Sequence, residues 1–236
     1  MPGSYLHFNS AALPMPTTEY VAWTDIMGAR SAMSLSLRKS ANFVFKLHEI
    51  AMAELHDMEA GDIHIYPMMD GFYSVSPTRT QLADFLCKVF RSLANEFVSG
   101  NDPRQRFMVR SGIAYGSVIQ GYRVPEQAVH STRIDQKYKE TILLGLPMVQ
   151  AFFAEHEAPP FGIFVDESAR LIFPHGSNEH WYRWGNSASV LWSRLHDRLE
   201  EHLEWCSVHA DELKYKPDRI EIHRDMVNQY FGTCNN

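Results

Sequence analysis

The sequence lacks most of the features that mark secreted, membrane-spanning and nucleic-acid-binding proteins. Its three cysteines, Cys87, Cys206 and Cys234, are unevenly spaced and form no Cys-x-x-Cys pair, which fits reduced thiols better than a disulfide or zinc framework. No apolar run approaches the roughly 20 residues needed to span a bilayer, and the first residues lack the basic start of a signal peptide. The net charge of −6 gives no overall attraction for nucleic acid or an anionic membrane. We therefore expect a cytoplasmic protein with neither kind of partner.

The composition divides the chain into three regions. With 236 residues, 45% of them hydrophobic, the protein can bury a substantial core in one elaborated domain. Prolines, Gly3 and several Ser/Thr residues crowd residues 1–18, where we expect a loose arm. Residues 19–170 contain the clearest apolar periodicity and are expected to form the globular core. Tryptophans among charged residues mark 171–236 as a helical C-terminal extension packed on the core or on a partner subunit.

Apolar spacing predicts an α+β arrangement with a largely antiparallel sheet. Asp70-Gly71 suits the two-residue turn of a hairpin. Gly112 and Gly116 lie inside a long strand, where glycine marks a bulge or a ligand close to the backbone. The predicted elements are, in order, a strand over 20–23, a helix over 31–57, a hairpin over 63–75, a helix over 81–98, a strand over 107–119, a helix over 141–157 that is regular at least from 147, a strand over 161–165 and a helix over 187–207.

Two carboxylates stand where apolar runs end. Asp25 follows the first predicted strand and precedes a turn at Gly28, while Asp70 occupies the predicted hairpin. If the first strand pairs with the hairpin, both side chains meet at one end of the sheet and share divalent cations, with the Ile26 carbonyl as a further ligand. The alternatives are that Asp70 is only a turn residue and Asp25 only a helix N-cap.

The turn after Asp25 has the character of a phosphate site. Backbone N–H groups at the beginning of a helix bind anions, so the amides of Met27, Gly28 and Ala29 are expected to point at the β- and γ-phosphates of a nucleotide. Arg30 is placed to add charge-assisted hydrogen bonds. Together with the two carboxylates, this turn predicts metal-assisted phosphoryl chemistry.

Three blocks of sequence together resemble the class III nucleotide cyclase domain. They are Trp-Thr-Asp-Ile-Met-Gly at 23–28, Asp-Gly-Phe at 70–72 and Val-Arg-Ser-Gly-Ile-Ala-Tyr-Gly at 109–116, and the resemblance extends over roughly residues 18–170. It implies a ferredoxin-like core with helices on one face of a mostly antiparallel sheet. It also implies two Mn²⁺ or Mg²⁺ ions held by Asp25, Ile26 and Asp70. In this family the 3′-hydroxyl of a nucleoside triphosphate attacks the α-phosphate and pyrophosphate leaves.

The residues that read purines in this family are missing here. With the chain aligned on Gly145, Ile142 replaces the aspartate that reads adenine, Val149 the asparagine that orients the ribose, and Phe153 the arginine that stabilises the transition state. Tyr66 stands near the position where adenine-specific cyclases carry a lysine, and its bulk favours a pyrimidine over a purine.

These departures resemble the pyrimidine cyclases of bacterial Pycsar anti-phage systems, which are homodimers with active sites at the subunit interface. By that resemblance, Tyr66 and Arg110 shape the base site, UTP is the favoured substrate, and cyclic UMP serves as an antiviral second messenger. Packing of Tyr66 within its strand and a strand-edge salt bridge of Arg110 are the structural alternatives. The candidates to replace the missing transition-state arginine are Arg30, Arg123, Arg133, Lys137 and Lys139.

Several functions remain open at this stage. CTP is as compatible with the sequence as UTP, since neither base-edge contact is readable from residues alone. A purine cyclase with rearranged base recognition is a further possibility. Two others are a degenerate cyclase domain that binds nucleotide as a regulatory module and a dimeric structural protein.

Overall fold

One mixed sheet with helices on both faces forms the core. The structure, a computed structural model, describes residues 12–58, 62–128, 135–170 and 180–232. The strands are β1 (Thr17–Ile26), β2 (His64–Met68), β3 (Gly71–Ser76), β4 (Val109–Gln120), β5 (Leu143–Gly145), β6 (Ile163–Val165) and β7 (Trp181–Tyr182). The helices are α1 (Ala29–Leu35), α2 (Leu37–His56), α3 (Arg79–Ser99), α4 (Gln136–Glu140), α5 (Leu146–Glu155), α6 (Glu167–Arg170), α7 (Val190–Val208), α8 (Ala210–Leu213) and α9 (Pro217–Phe231).

The strand order is β2-β3-β1-β4-β6-β7, and β5 pairs with the far end of β4. Every pairing is antiparallel except that of β4 with β6. Strand β1 lies in the middle, between β3 and β4, and its register places Thr24 opposite Phe72 and Asp25 opposite Arg110. The predicted α+β class with a mostly antiparallel sheet is confirmed.

The two faces of the sheet are covered by different helices. On one face, α2 and α3 join the C-terminal helices α7 and α9 in a large apolar core. The stripe predicted for α3, from Leu82 to Phe97, is buried there, as its apolar spacing indicated. Helix α5 packs on the opposite face, over Trp23 and its neighbours. The family resemblance implied helices on one face only, whereas helices cover both faces of this sheet.

Gly112 allows this second packing layer. A Cβ at Gly112 would overlap the carbonyl oxygen of Ala151 and the amide nitrogen of Glu155, and one at Gly116 would lie 3.0 Å from the Pro147 ring. The pairing of β4 with β1 runs without a bulge from residue 109 to residue 118. The prediction of a bulge or a close ligand at these glycines is wrong, because α5 is the close neighbour of the strand backbone.

Some predicted boundaries also change. Strand β1 begins at Thr17, inside the segment predicted as an arm, and extends to Ile26. The helix predicted over 31–57 is two helices, because Ser36 is extended, with φ −156° and ψ 104°. The Ser36 side chain accepts a hydrogen bond from the Lys39 N–H and so caps α2. The three-residue strand β5 lies inside the segment predicted as a helix, because it is too short to show periodicity.

The hairpin turns one residue earlier than predicted. Met68 pairs with Gly71, so Met69 and Asp70 form the two-residue loop, and Met69 takes the positive φ of 51°. Gly71 instead begins β3, where a Cβ would overlap the carbonyl oxygen of Thr24 on β1. The glycine thus serves the close approach of two strands, and Asp70 is left in the turn beside the end of β1.

The Trp-rich C-terminal region packs on the core of its own chain. The Trp192 ring lies 5.2 Å from Trp184 and 4.5 Å from Phe231, measured between centroids, and both Trp184 and Trp192 are buried. Within the parts of the chain that the structure describes, no helix is long and apolar enough to cross a membrane.

Candidate active site at one end of the sheet

The two carboxylates predicted as metal ligands lie at the same end of the sheet. Asp25 is the penultimate residue of β1, and Asp70 directly precedes β3, which pairs with β1. The pKa of Asp25 is raised to about 7, chiefly by burial and then by the negative charges of Asp70 and Glu155. The fold therefore brings Asp25 and Asp70 close enough for their charges to interact.

One oxygen of Asp25 has no partner. Its Oδ1 is buried and makes no hydrogen bond to any residue that the structure describes. An unsatisfied buried polar atom costs about 1–3 kcal/mol, and more when it is charged. A divalent cation would satisfy this oxygen and offset the repulsion from Asp70, so the residues fit the implied metal.

The ligand set supplied by the chain is small. The two carboxylates and the Ile26 carbonyl are the groups that would hold a cation. Over the described residues, no group of three or more His, Cys, Asp or Glu side chains is arranged to hold a metal ion. The remaining positions would be left to nucleotide oxygens and water, as is usual for Mg²⁺ at phosphate sites.

Arg110 faces a third carboxylate that the sequence did not reveal. Its Nε donates to Oε1 of Glu155, the last residue of α5, in an ion pair that is almost completely buried. Its Nη1 donates to the carbonyl of His156 at 3.2 Å. Burial raises the pKa of Glu155, while the positive charge of Arg110 opposes the rise. This is the salt bridge considered as the alternative for Arg110, and its role at the base stays a prediction.

The turn predicted to bind phosphates is only partly available. The Met27 N–H donates to the Met108 carbonyl at 2.9 Å, so this amide is not free for a phosphate, contrary to the prediction. Gly28 is left-handed, with φ 73°, and its carbonyl accepts the first bond of α1, from the Ala32 N–H. The N–H groups of Ala29 and Arg30 consequently have no partner inside the helix. The Arg30 side chain is exposed.

Tyr66 lies under α5, away from the carboxylates. Only 3% of it is exposed, and its hydroxyl donates to Oε1 of Gln120 at 2.7 Å. Burial raises the pKa of this hydroxyl. Tyr66 lies on β2 and Arg110 on β4, and the sheet order places these strands three inter-strand steps apart, which corresponds to about 14 Å. One chain therefore does not bring the two predicted base-site residues into contact.

Gln120 joins this tyrosine to a polar network that sequence reasoning missed. Its Nε2 donates to Oε2 of Glu19 at 2.8 Å, and Arg123 donates to Oε1 of Glu19 at 2.7 Å. Gln120 pairs with Leu143, the neighbour of Ile142, where the purine-reading aspartate is missing. The network depends on residues 101 positions apart that only the β1–β4 register brings together.

The candidate replacements for the missing arginine have mostly other partners. Arg123 is held by Glu19, and the buried Lys139 donates to the Val124 carbonyl at 3.0 Å. Lys137 is exposed. Arg133 lies outside the described residues.

No protein-family model and no curated protein matches the chain. Among solved structures, it is similar to the monomeric guanylyl cyclase domain of the RhoGC fusion protein from the aquatic fungus Blastocladiella emersonii (15% identity, 67% of this chain and 87% of that chain, TM-score 0.48). It is also similar to an adenylate cyclase from Trypanosoma brucei in its monomeric state (13% identity, 70% and 80%, TM-score 0.47) and to an adenylate/guanylate cyclase/hydrolase from Silicibacter pomeroyi (14% identity, 66% and 80%, TM-score 0.46). Nothing in these likenesses points to a pyrimidine cyclase.

Proposed function

We propose that the protein is a nucleotide cyclase that converts UTP to 3′,5′-cyclic UMP and pyrophosphate. The observation that carries the proposal is the meeting of Asp25 and Asp70 at one end of the sheet, with a buried Asp25 oxygen that lacks a partner. These are the residues that the cyclase-like sequence blocks assign to metal binding. A role of the product as a messenger in defence against phage belongs to the proposal and rests on the resemblance alone.

In this reaction the ribose 3′-hydroxyl gives up its proton to solvent and its oxygen forms a bond to the α-phosphorus, while the bond from that phosphorus to the bridging oxygen of the leaving pyrophosphate breaks. When bound, two Mn²⁺ or Mg²⁺ ions supply Lewis-acid stabilisation of the charge on the phosphate oxygens. The chain contributes the two carboxylates and the Ile26 carbonyl that would hold the ions. Because the Asp25 backbone pairs with Arg110 on β4, and the preceding residue, Thr24, pairs with both β3 and β4, the Asp25 carboxylate is oriented before substrate binds.

The proposed site is completed by a second copy of the chain. Asp25 and Glu19 point to the same face of β1 and are six residues apart, a separation of about 20 Å along a strand. The carboxylate end and the Tyr66–Gln120 end therefore lie far apart in one chain. A two-fold arrangement would set the carboxylate end of one chain against the Tyr66–Gln120 end of its partner.

An exposed apolar stripe on α5 and the residues just before it supports this dimer. Four large apolar side chains there are 51–68% exposed: Leu144, Leu146, Val149 and Phe153. Monomeric proteins seldom leave such groups together on one helix face, and a matching stripe on a second copy would cover them. The stripe borders the sheet face that carries both ends of the proposed site.

Selection of a pyrimidine is supported by what surrounds Ile142. An isoleucine side chain offers adenine no hydrogen bond, and the nearby polar groups of Gln120 and Glu19 are already bonded to each other. The Tyr66 ring occupies space that a purine would need in the family arrangement. UTP is favoured over CTP only by the resemblance.

The experiment that tests this function offers each of the four nucleoside triphosphates with Mn²⁺ and identifies products by mass spectrometry. We expect cyclic UMP as the main product, with less cyclic CMP. If only cyclic AMP or cyclic GMP forms, the base assignment fails while the reaction class stands. If nucleotide binds and no cyclic product forms, the protein is a regulatory nucleotide-binding module.

A further inference from the structure

A cavity of about 340 Å³ separates the sheet end from the C-terminal helices. One wall consists of residues 26–28 at the end of β1, the adjoining parts of α1 and α2, and the segment that leads into β4. The other wall consists of residues from α7, α8, α9 and the turn between α8 and α9. The cavity therefore begins next to Asp25, and the C-terminal extension closes it.

All of the charged side chains that line this cavity are positive. Seven of them are Lys or Arg, and none is Asp or Glu, although acids outnumber bases by 28 to 22 in the whole sequence. On the core side these are Lys39, Arg104, Arg106 and Arg110. Arg106 is hydrogen-bonded to the Gly100 carbonyl, and Arg110 alone of the four is paired with a carboxylate within the described residues.

The C-terminal side adds three exposed cations. Lys214 donates to Oγ of Ser34 at 3.1 Å and so bridges the two walls. Lys216 and Arg219 have no carboxylate within 4.0 Å among the described residues. Cations gathered without counter-charges repel one another, which makes the cavity attractive for a ligand with several negative charges.

A buried imidazole without a partner also lines the cavity. His202 is 4% exposed, and its Nδ1 makes no hydrogen bond to any described residue. Its ring packs against Phe97 and stacks on Trp205. Burial, and then the charges of Arg106 and Lys39, lower the pKa of His202 to about 4, so the ring is neutral at pH 7. A phosphate oxygen would supply the missing hydrogen-bond partner.

We propose that this cavity binds a polyphosphate group, clamped between cations of the core and cations of the C-terminal helices. Six of the seven cations have no carboxylate partner among the described residues, which is more charge than a singly charged anion would neutralise, and the volume lies at the small end of the range for ligand pockets. The position beside residues 26–28 favours the phosphates of a nucleoside triphosphate as the source. That identification rests on the proposed function, whereas the anion site itself does not.

Titration calorimetry of the full chain with inorganic tripolyphosphate tests the site directly. We expect binding that weakens as salt is raised. A Lys216→Gln/Arg219→Gln variant should lose affinity by at least about fivefold, because two contacts to the anion are removed from exposed positions where folding is not at risk. A control variant, Arg91→Gln/Arg194→Gln, removes the same total charge from exposed positions outside the cavity and should bind as the wild type does.

Absence of tripolyphosphate binding, or equal losses in the two variants, would overturn the cavity site. Competition with UTP then shows whether the bound phosphates are those of the nucleotide or of a separate polyphosphate. If UTP excludes tripolyphosphate, the cavity holds the phosphates of the nucleotide. If both bind together, the cavity remains a polyphosphate site and its link to the proposed substrate is rejected. Because calorimetry needs no turnover, a failure of the cyclase proposal would be seen separately, in the product assay.

Discussion

Asp25 connects the strand register to the proposed chemistry at the residue scale. Its backbone pairs with Arg110 on β4, its Oδ1 is buried without a partner among the described residues, and Asp70 adds negative charge nearby. The burial and the nearby negative charge both oppose an ionised carboxylate in the metal-free protein. Asp25 is therefore a residue whose contribution to stability should conflict with its contribution to function.

Replacing Asp25 by Asn should stabilise the metal-free protein at pH 8. The folded-state pKa of about 7 lies above the ordinary 3.8. Asp25 therefore destabilises the fold increasingly as pH rises from 3.8 towards 7. Removing the charge should recover up to about 4 kcal/mol at pH 8, since one unit of pKa corresponds to about 1.4 kcal/mol. Chemical denaturation with a chelator present measures this.

The same variant provides a test of metal binding without turnover. Mn²⁺ should raise the melting temperature of the wild type and leave that of Asp25→Asn nearly unchanged. Asp197→Asn, at an exposed position on α7, is the matched control and should behave as the wild type. A wild-type melting temperature that does not respond to Mn²⁺ would count against Asp25 as a ligand.

Sequence reasoning reached the residues whose chemistry is visible locally and missed those defined by partners. Asp25 and Asp70 could be found because each ends an apolar run beside a turn. Glu155 could not, because it meets Arg110 only when α5 packs on β4. The pair of Gln120 and Glu19 likewise depends on strand register.

At the element scale, the absence of a side chain at Gly112 leaves the room that α5 needs to pack against the sheet. The backbone of α5 approaches β4 so closely that a methyl group has no room. This contact also carries Glu155 to Arg110. The position of α5 therefore links packing on this face to the charge pattern around Asp25.

Substituting Gly112 by Ala should destabilise the protein strongly. The new Cβ would overlap the backbone of α5, which cannot move away as a flexible side chain would. We expect a loss of about 3 kcal/mol, or a fall of roughly 10 °C in melting temperature for a chain of this size. Differential scanning calorimetry checks it.

Gly28→Ala is the matched control for this substitution. Gly28 has φ +73° but nothing within 4 Å of an added Cβ, so only backbone strain of about 1 kcal/mol is expected. Equal losses in the two variants would show that steric overlap with α5 is not what Gly112 prevents.

The long elements were predictable because the spacing of their apolar side chains indicates which face is buried. The buried stripe of α3 repeats at helical spacing, and the Asp-Gly pair predicted the hairpin. The break at Ser36 was not predictable from apolar spacing, which continues across it. The turn register shifted because Gly71 is needed against Thr24, a contact invisible before β1 and β3 are paired.

At the scale of the whole molecule, the ends of one sheet face carry different chemistry. The carboxylates lie at one end, the Tyr66–Gln120–Glu19 network at the other, and the apolar stripe of α5 between them. The C-terminal helices close the cationic cavity next to the carboxylates. A two-fold dimer would use all of these features together.

Replacing Val149 and Phe153 by Glu should give a monomer with little cyclase activity. Both side chains are more than half exposed, so the fold should survive while charge prevents the apolar stripe from pairing. Analytical ultracentrifugation and the product assay measure the two effects. Phe45→Glu, on α2 and 75% exposed, is the control and should remain dimeric and active. A wild type that is monomeric yet fully active would refute the shared site.

The most direct test of the central claim is the conversion of UTP by the wild type, Asp25→Asn and Asp70→Asn proteins in the presence of Mn²⁺. Cyclic UMP and pyrophosphate should appear in equal amounts with the wild type. The rate of cyclic UMP formation should be lower by about a thousandfold or more in both variants, because each substitution removes a ligand of the proposed metal pair. Cyclic UMP formation that persists in either folded variant would contradict the account.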